Sequence, residues 1–117
     1  MLYAVLCYAS EDAVCSWTKE QDEEVMRNLV VVQEKYAKAG KLGPVARLLP
    51  TTAATTLRKV KDEALVLDGP FAETKEQLAG FYLVEARDLN EAIRIASKIP
   101  PARLGGIEVR PVKEHIA

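Results

Sequence analysis

The sequence predicts an α+β domain in which two helices cover a sheet, and three observations carry that expectation. Apolar residues recur at helical spacing in two separate segments, each preceded by a capping pattern; the segments between them are short β-branched or apolar runs bounded by turn residues; and the two kinds of segment alternate along the chain. With 117 residues the chain can bury a single core but not two, so residues 1–117 are expected to form one domain.

Residues 2–8 (LYAVLCY) are an apolar run of strand length, the expected first and central strand. Thr18 and Gln21 make the Thr-x-x-Gln pattern of a capping box, with Asp22, Glu23 and Glu24 where carboxylates favour the positive end of a helix. Val25, Leu29, Val32, Tyr36 and Ala39 then keep one face apolar, and Gly40 can close the helix in the left-handed region. Val30 and Val31 fall off that stripe and widen it, as a helix needs when a second surface must also be covered.

An extended segment runs from Lys41 to near Leu49, where Pro50 punctuates it. Residues 55–60 and 64–67, joined by Lys61, Asp62 and Glu63, have the composition of a hairpin. Thr74 and Gln77 repeat the capping pattern and predict a short helical turn before a strand over residues 80–86. Asp88 caps a second helix with the stripe Leu89, Ala92, Ile93, Ala96 and Ile99, which Pro100 and Pro101 end; residues 107–112 alternate as a last strand, and 113–117 form a loose tail. This order is βαββαβ with an extra hairpin between its halves, a ferredoxin-like sandwich. Tyr8, Phe81, Tyr82 and the valines give the uncovered sheet face apolar content, which a homodimer packed face to face would bury.

Composition removes several classes of function. Sixteen basic and 17 acidic residues give a net charge of -1, so there is no excess to neutralise phosphates and no nucleic-acid partner is expected. Arg58, Lys59 and Lys61 alternate with Leu57 and Val60 and run into Asp62 and Glu63, the pattern of a solvated hairpin face. No apolar stretch approaches the ~20 residues that cross a bilayer, and no basic segment precedes residues 2–8, so neither a membrane nor export is expected. Cys7 and Cys15 are too few for a disulfide scaffold and point to a reduced, cytoplasmic protein; Cys15 has no histidine near it in sequence to activate it. One histidine and two separated cysteines make no metal cluster, and the six glycines fit no phosphate-cradling pattern, so no cofactor is expected.

The most distinctive stretch is residues 67–77 (LDGPFAETKEQ). Asp68 ends an apolar strand, Gly69 and Pro70 force a turn, and Phe71 follows. Asp68 either bonds the amides of that turn, the reading the residues alone favour, or serves as a general base or ligand-orienting acid at a pocket rim. Tyr8, Tyr36 and Arg47 could act with it if the chain brings them together.

The run DGPFAETKEQLAGFYLVEA at 68–86, with TTAATTLR at 51–58, the helix ending in Ala39 and Gly40, and IEVRP at 107–111, resembles the YCII-related family, specifically its DGPF-motif branch. The resemblance implies a ferredoxin-like subunit in a dimeric α/β barrel, with a cleft in each subunit at the DGPF loop. It implies a small-molecule-binding homodimer in which Asp68, Gly69, Pro70, Phe71, Tyr8 and Arg47 meet the ligand. Lyase, isomerase or dehalogenase chemistry at Asp68 is one use of that cleft, since a few relatives act on small cyclic or chlorinated aromatic compounds. A non-catalytic regulatory or partner-binding module is the alternative, since some relatives are encoded beside or fused to sigma factors. The family's aspartate is paired with a histidine on the first helix. Here that position holds Leu29 or, shifted by one, Asn28, and the one histidine is His115 in the tail. Asp68 therefore lacks the second group that would pass a proton on.

Overall fold

The computed structural model describes residues 1–12, 17–98 and 105–113; Cys15, Ile99, Pro100, Pro101 and His115 lie outside the described residues. The order is β1 (Leu2–Ser10), α1 (Lys19–Lys38), β2 (Leu42–Arg47), β3 (Thr55–Val60), β4 (Glu63–Asp68), β5 (Glu76–Glu85), α2 (Leu89–Ser97) and β6 (Gly105–Pro111), with a 3-10 turn at Thr51–Ala53. Four strands form one antiparallel sheet in the order β2-β5-β1-β6, and β3 and β4 pair separately. Without the β3–β4 hairpin the chain is β1-α1-β2-β5-α2-β6, the ferredoxin-like plan. The hairpin is an arm inserted into the β2–β5 connection.

Both helices start where their caps put them. The Thr18 hydroxyl accepts from the Gln21 amide at 3.1 Å and the Thr18 amide donates to Gln21 Oε1 at 2.9 Å, while Asp88 Oδ1 accepts from the Glu91 amide at 2.9 Å. Gly40 follows α1 with φ 71, the left-handed stop its position demanded. The third capping pattern makes no helical turn, because residues 76 and 77 pair with Ser10 and Ala9 of β1. Thr74 instead donates to the Glu76 carbonyl at 2.6 Å, and Gln77 donates to the carbonyls of Ala72 and Thr74.

The core lies between the helices and one sheet face. Tyr3, Val5 and Cys7 of β1 meet Tyr82 and Val84 of β5 under Ala92, Ile95 and Ala96 of α2, with Leu29, Val32 and Tyr36 of α1 packed at its edge. The expected α2 stripe is rotated: Leu89 and Ile93 are exposed, and Glu91 is buried. The cause is electrostatic. Lys41 Nζ donates to Glu91 Oε1 at 2.7 Å and Arg87 Nε to Oε2 at 3.0 Å, so the carboxylate turns the Glu91 flank inward and ties the start of α2 to the chain leaving α1. On the opposite sheet face Leu6, Tyr8, Phe81 and Leu83 are half-buried, and no helix among the described residues covers them. The arm is exposed almost throughout, with Leu57, Val60, Leu65, Val66 and Leu67 facing solvent.

The Glu91 network predicts a pH dependence. Hydrogen bonding from Lys41, with that from the Arg87 amide, lowers the Glu91 carboxyl from 4.5 to about 2. A carboxyl lowered in the folded state contributes stability above its ordinary pKa and loses it as pH falls through the folded value. Glu91→Gln is therefore expected to lower the melting temperature at pH 7 and to flatten its decline between pH 4.5 and about 2. Thermal denaturation of both proteins across that range checks this.

Candidate functional site

Alternation along β5 places Gly80, Tyr82 and Val84 on the helix-facing side, beside Cys7, Val5 and Tyr3 of β1. The β1–β5 register slips between Cys7, opposite Gly80, and Tyr8, opposite Leu78, so Ala79 is the extra residue of a β-bulge. On the other edge Arg47 pairs with Gly80 and Val45 with Tyr82, which puts the Arg47 side chain on the helix side too. Glycine is required at 80 by close approach: a Cβ there would sit 2.8 Å from the Ala46 carbonyl oxygen.

Helix α1 lies over this patch with no fully buried residue. Between helix and sheet is a cavity of about 300 Å³, walled by Val25, Met26 and Leu29 of α1 and floored by Cys7, Gly80 and Tyr82. Trp17, Gln33 and Arg47 also line it. Tyr82 is 4% exposed, and its hydroxyl is buried without a hydrogen-bond partner. The Cys7 thiol is close enough to perturb that hydroxyl, but no hydrogen bond of acceptable geometry joins them. Burial pushes the thiol up to about 11 and the Tyr82 phenol well above its ordinary value.

At the mouth Arg47 Nη2 donates to Asp22 Oδ1 of α1 at 2.6 Å, an ion pair with both side chains partly exposed. Beyond the pair lies a second hollow of about 370 Å³, bordered by Glu11, Leu48, Pro50 and Gln77, which shares Ala9, Arg47 and Ala79 with the first. Its rim is held by Glu11, whose carboxylate accepts from the Thr51 amide at 2.6 Å and hydroxyl at 2.7 Å.

Of the residues singled out in the sequence, Arg47 lines both hollows and Leu29, at the position of the family's histidine, lines the inner one; Tyr36 packs at the core edge, and Tyr8, Asp68, Gly69, Pro70 and Phe71 line neither hollow. Tyr8 is half-buried on the opposite sheet face. Asp68 pairs with Thr55 at the base of the arm and is exposed, its carboxylate making no hydrogen bond or ion pair among the described residues. Gly69, at φ 106, donates its amide to the Ala54 carbonyl at 2.8 Å, and its own carbonyl accepts from the Thr56 hydroxyl at 2.8 Å. With Pro70 it locks the loop to β3, while Phe71 is 71% exposed under the Arg58 guanidinium, 4.5 Å from the ring centroid. Gly80 and Tyr82 lie within the run 68–86 and Cys7 within the apolar run 2–8, but neither run marks them as lining a cavity; their shared strand face was the signal. Among the described residues no group of three His, Cys, Asp or Glu side chains could hold a metal, and no helix is long and apolar enough to cross a membrane.

The family model of the YCII-related domain matches residues 1–116. An uncharacterised protein of Rhizobium meliloti (strain 1021) is 59% identical over 114 residues, covering 96% of this chain and 92% of the relative. The chain belongs to the YCII-related family. In this YCII-related protein the helix-to-sheet cavity and the DGPF loop are separate features of the chain, joined in sequence by the four residues 72–75 before β5 begins.

The close approach at Gly80 gives a direct test of the cavity floor. Gly80→Ala is expected to force β2 away from β5 and to destabilise the fold by about 1–3 kcal/mol, the usual cost of overpacking. Denaturant unfolding of the two proteins measures it.

Proposed function

We propose that this YCII-related protein binds a small, largely apolar molecule bearing a hydrogen-bonding group in the cleft between α1 and the sheet. The observation that carries the reading is the Tyr82 hydroxyl, buried beside the cavity with the Cys7 thiol near it and no hydrogen-bond partner among the described residues. Leaving such a group unpaired costs about 1–3 kcal/mol, which a ligand offering a donor or acceptor recovers. The apolar walls supply the rest of the affinity, as is usual for a small-molecule cleft.

The same lining favours binding over acid–base chemistry. Burial raises both the Cys7 thiol and the Tyr82 phenol, which moves each away from the neutral range in which a general base must exchange its proton. A lyase, isomerase or dehalogenase reaction at Asp68 rests on the sequence motif alone, since that carboxylate is exposed on the arm. The non-catalytic binding module, with regulation as its use, is the reading the cleft supports better.

Tyr82→Phe separates function from stability. It is expected to stabilise the free protein by about 1 kcal/mol, by removing a desolvated hydroxyl, and to weaken the binding of 4-methylphenol several-fold. Calorimetric titration alongside thermal denaturation reads both, and unchanged affinity would contradict the proposal.

We further propose a homodimer, supported by the arm. An isolated two-stranded hairpin is marginal in water, yet this one carries Leu57 and Val66 on one face and Val60, Leu65 and Leu67 on the other, all exposed. Sedimentation equilibrium at micromolar concentration is expected to give twice the 12.9 kDa chain mass, and Leu65→Lys combined with Val66→Lys to shift it toward the monomer. A monomeric wild type would contradict this reading.

A further inference from the structure

The charge lining the cleft selects its ligand further, on the basis of the cleft-binding reading above. Among the described residues that line the inner hollow, Arg47 is the one charged side chain; the polar remainder, Gln33, Tyr82 and Cys7, is neutral. A cation placed there would meet a guanidinium and no carboxylate, since Asp22, which pairs with Arg47, does not line the inner hollow, whereas an anion would meet a partner of opposite charge. Arg47 is also poorly used. A guanidinium offers five donors in a planar fork, and the described structure gives it a single contact, Nη2 to Asp22 Oδ1. That pair is 43% and 42% exposed on its two sides, the setting in which ion pairs contribute least.

The geometry points to a small apolar monocarboxylate as the ligand, its carboxylate taking the Arg47 fork from Asp22 and its apolar body lying between α1 and the sheet toward Tyr82. The register supports the span. Arg47 pairs with Gly80, two residues from Tyr82 on the same strand face, so the two polar anchors are rooted about 7 Å apart along the sheet. An apolar body of ring size fits between them in a cavity of about 300 Å³. A dianion fits less well, because a second negative charge would be desolvated among Val25, Met26 and Leu29 without a second cation. Asp22 then acts as an internal competitor: it occupies Arg47 in the free protein and is released when a carboxylate binds. Arg47 also lines the outer hollow, as do Ala9 and Ala79, so a carboxylate on its fork lies where the two hollows adjoin.

The test is calorimetric titration of the full 117-residue chain with phenylacetate and with its neutral isostere phenylacetamide. Phenylacetate is expected to bind about tenfold tighter than the amide, a charge-assisted bond being worth roughly one decade or more over a neutral one. Arg47→Gln is expected to erase that difference. Asp22→Asn is expected to tighten phenylacetate about two- to fivefold, the scale of a weak ion pair released, and to leave phenylacetamide unchanged. Asp22→Asn also keeps the proposal testable if the Arg47 variant fails to fold. Equal affinity for acid and amide in the wild type, or an Asp22→Asn variant that binds the acid no more tightly, overturns the carboxylate assignment while leaving the cleft in place. Binding of neither compound at 10 mM, a concentration far above a typical pocket's Kd of about 1 µM to 1 mM, overturns the assignment and the cleft-binding reading together.

Discussion

Helix α1 spans the sheet from Lys19 to Lys38 without completely burying any residue, and the cavity exists because of that standoff. The two helices solve the same covering problem with different side chains. Helix α2 buries Ala92, Ile95 and Ala96, two of them small enough to let its axis approach the strands closely. Helix α1 presents Val25, Met26, Leu29, Val32 and Tyr36, which reach the core only at its edge. Its Tyr36 end packs there, while toward its N-terminus the contact with β2 is the half-exposed Asp22–Arg47 pair, so that part of the helix stands over a hollow rather than a packed interface.

The floor of the hollow depends on the irregular stretch of β5. The bulge at Ala79 and the missing side chain at Gly80 let β2 come close enough for Arg47 to reach the rim. Two residues further along, the return to regular alternation turns Tyr82 inward. One short segment thus sets where the positive charge stands, where the unpaired hydroxyl lies, and how wide the opening is. On the same sheet face the Glu91 network fixes α2 through Lys41 and Arg87, so that the standoff is confined to α1.

Much of the fold was legible because its signals are local. Thr18 with Gln21, Asp88, Gly40 and the hairpin about Lys61 and Asp62 each specify backbone geometry within a few residues, and the structure follows them. Thr74 with Gln77 carried the same signal as Thr18 with Gln21 and failed, because pairing with Ala9 and Ser10 outweighs a cap that has no apolar helical stripe behind it. The rotation of α2 was hidden for a related reason. Nothing beside Glu91 in the sequence says that its carboxylate is held inward, because its partner Lys41 lies 50 positions away.

The site was less legible than the fold. The DGPF loop draws the eye because Asp68, Gly69 and Pro70 are unusual neighbours, and its geometry answers to the turn: a positive φ at Gly69 and hydrogen bonds back to Ala54 and Thr56. Arg47 was visible as a candidate without its partners, and Tyr82 was expected with Tyr8 and Phe81 on the uncovered sheet face, whereas alternation along β5 turns it to the helix side and leaves Phe81 on the other. The measurement that tests the account most directly is mapping of backbone amide chemical shifts on titration with phenylacetate. The account predicts that the shifts cluster on Met26, Arg47, Gly80 and Tyr82, the residues around the cavity. Shifts confined to Asp68, Gly69 and Phe71, or scattered over the surface, would contradict it.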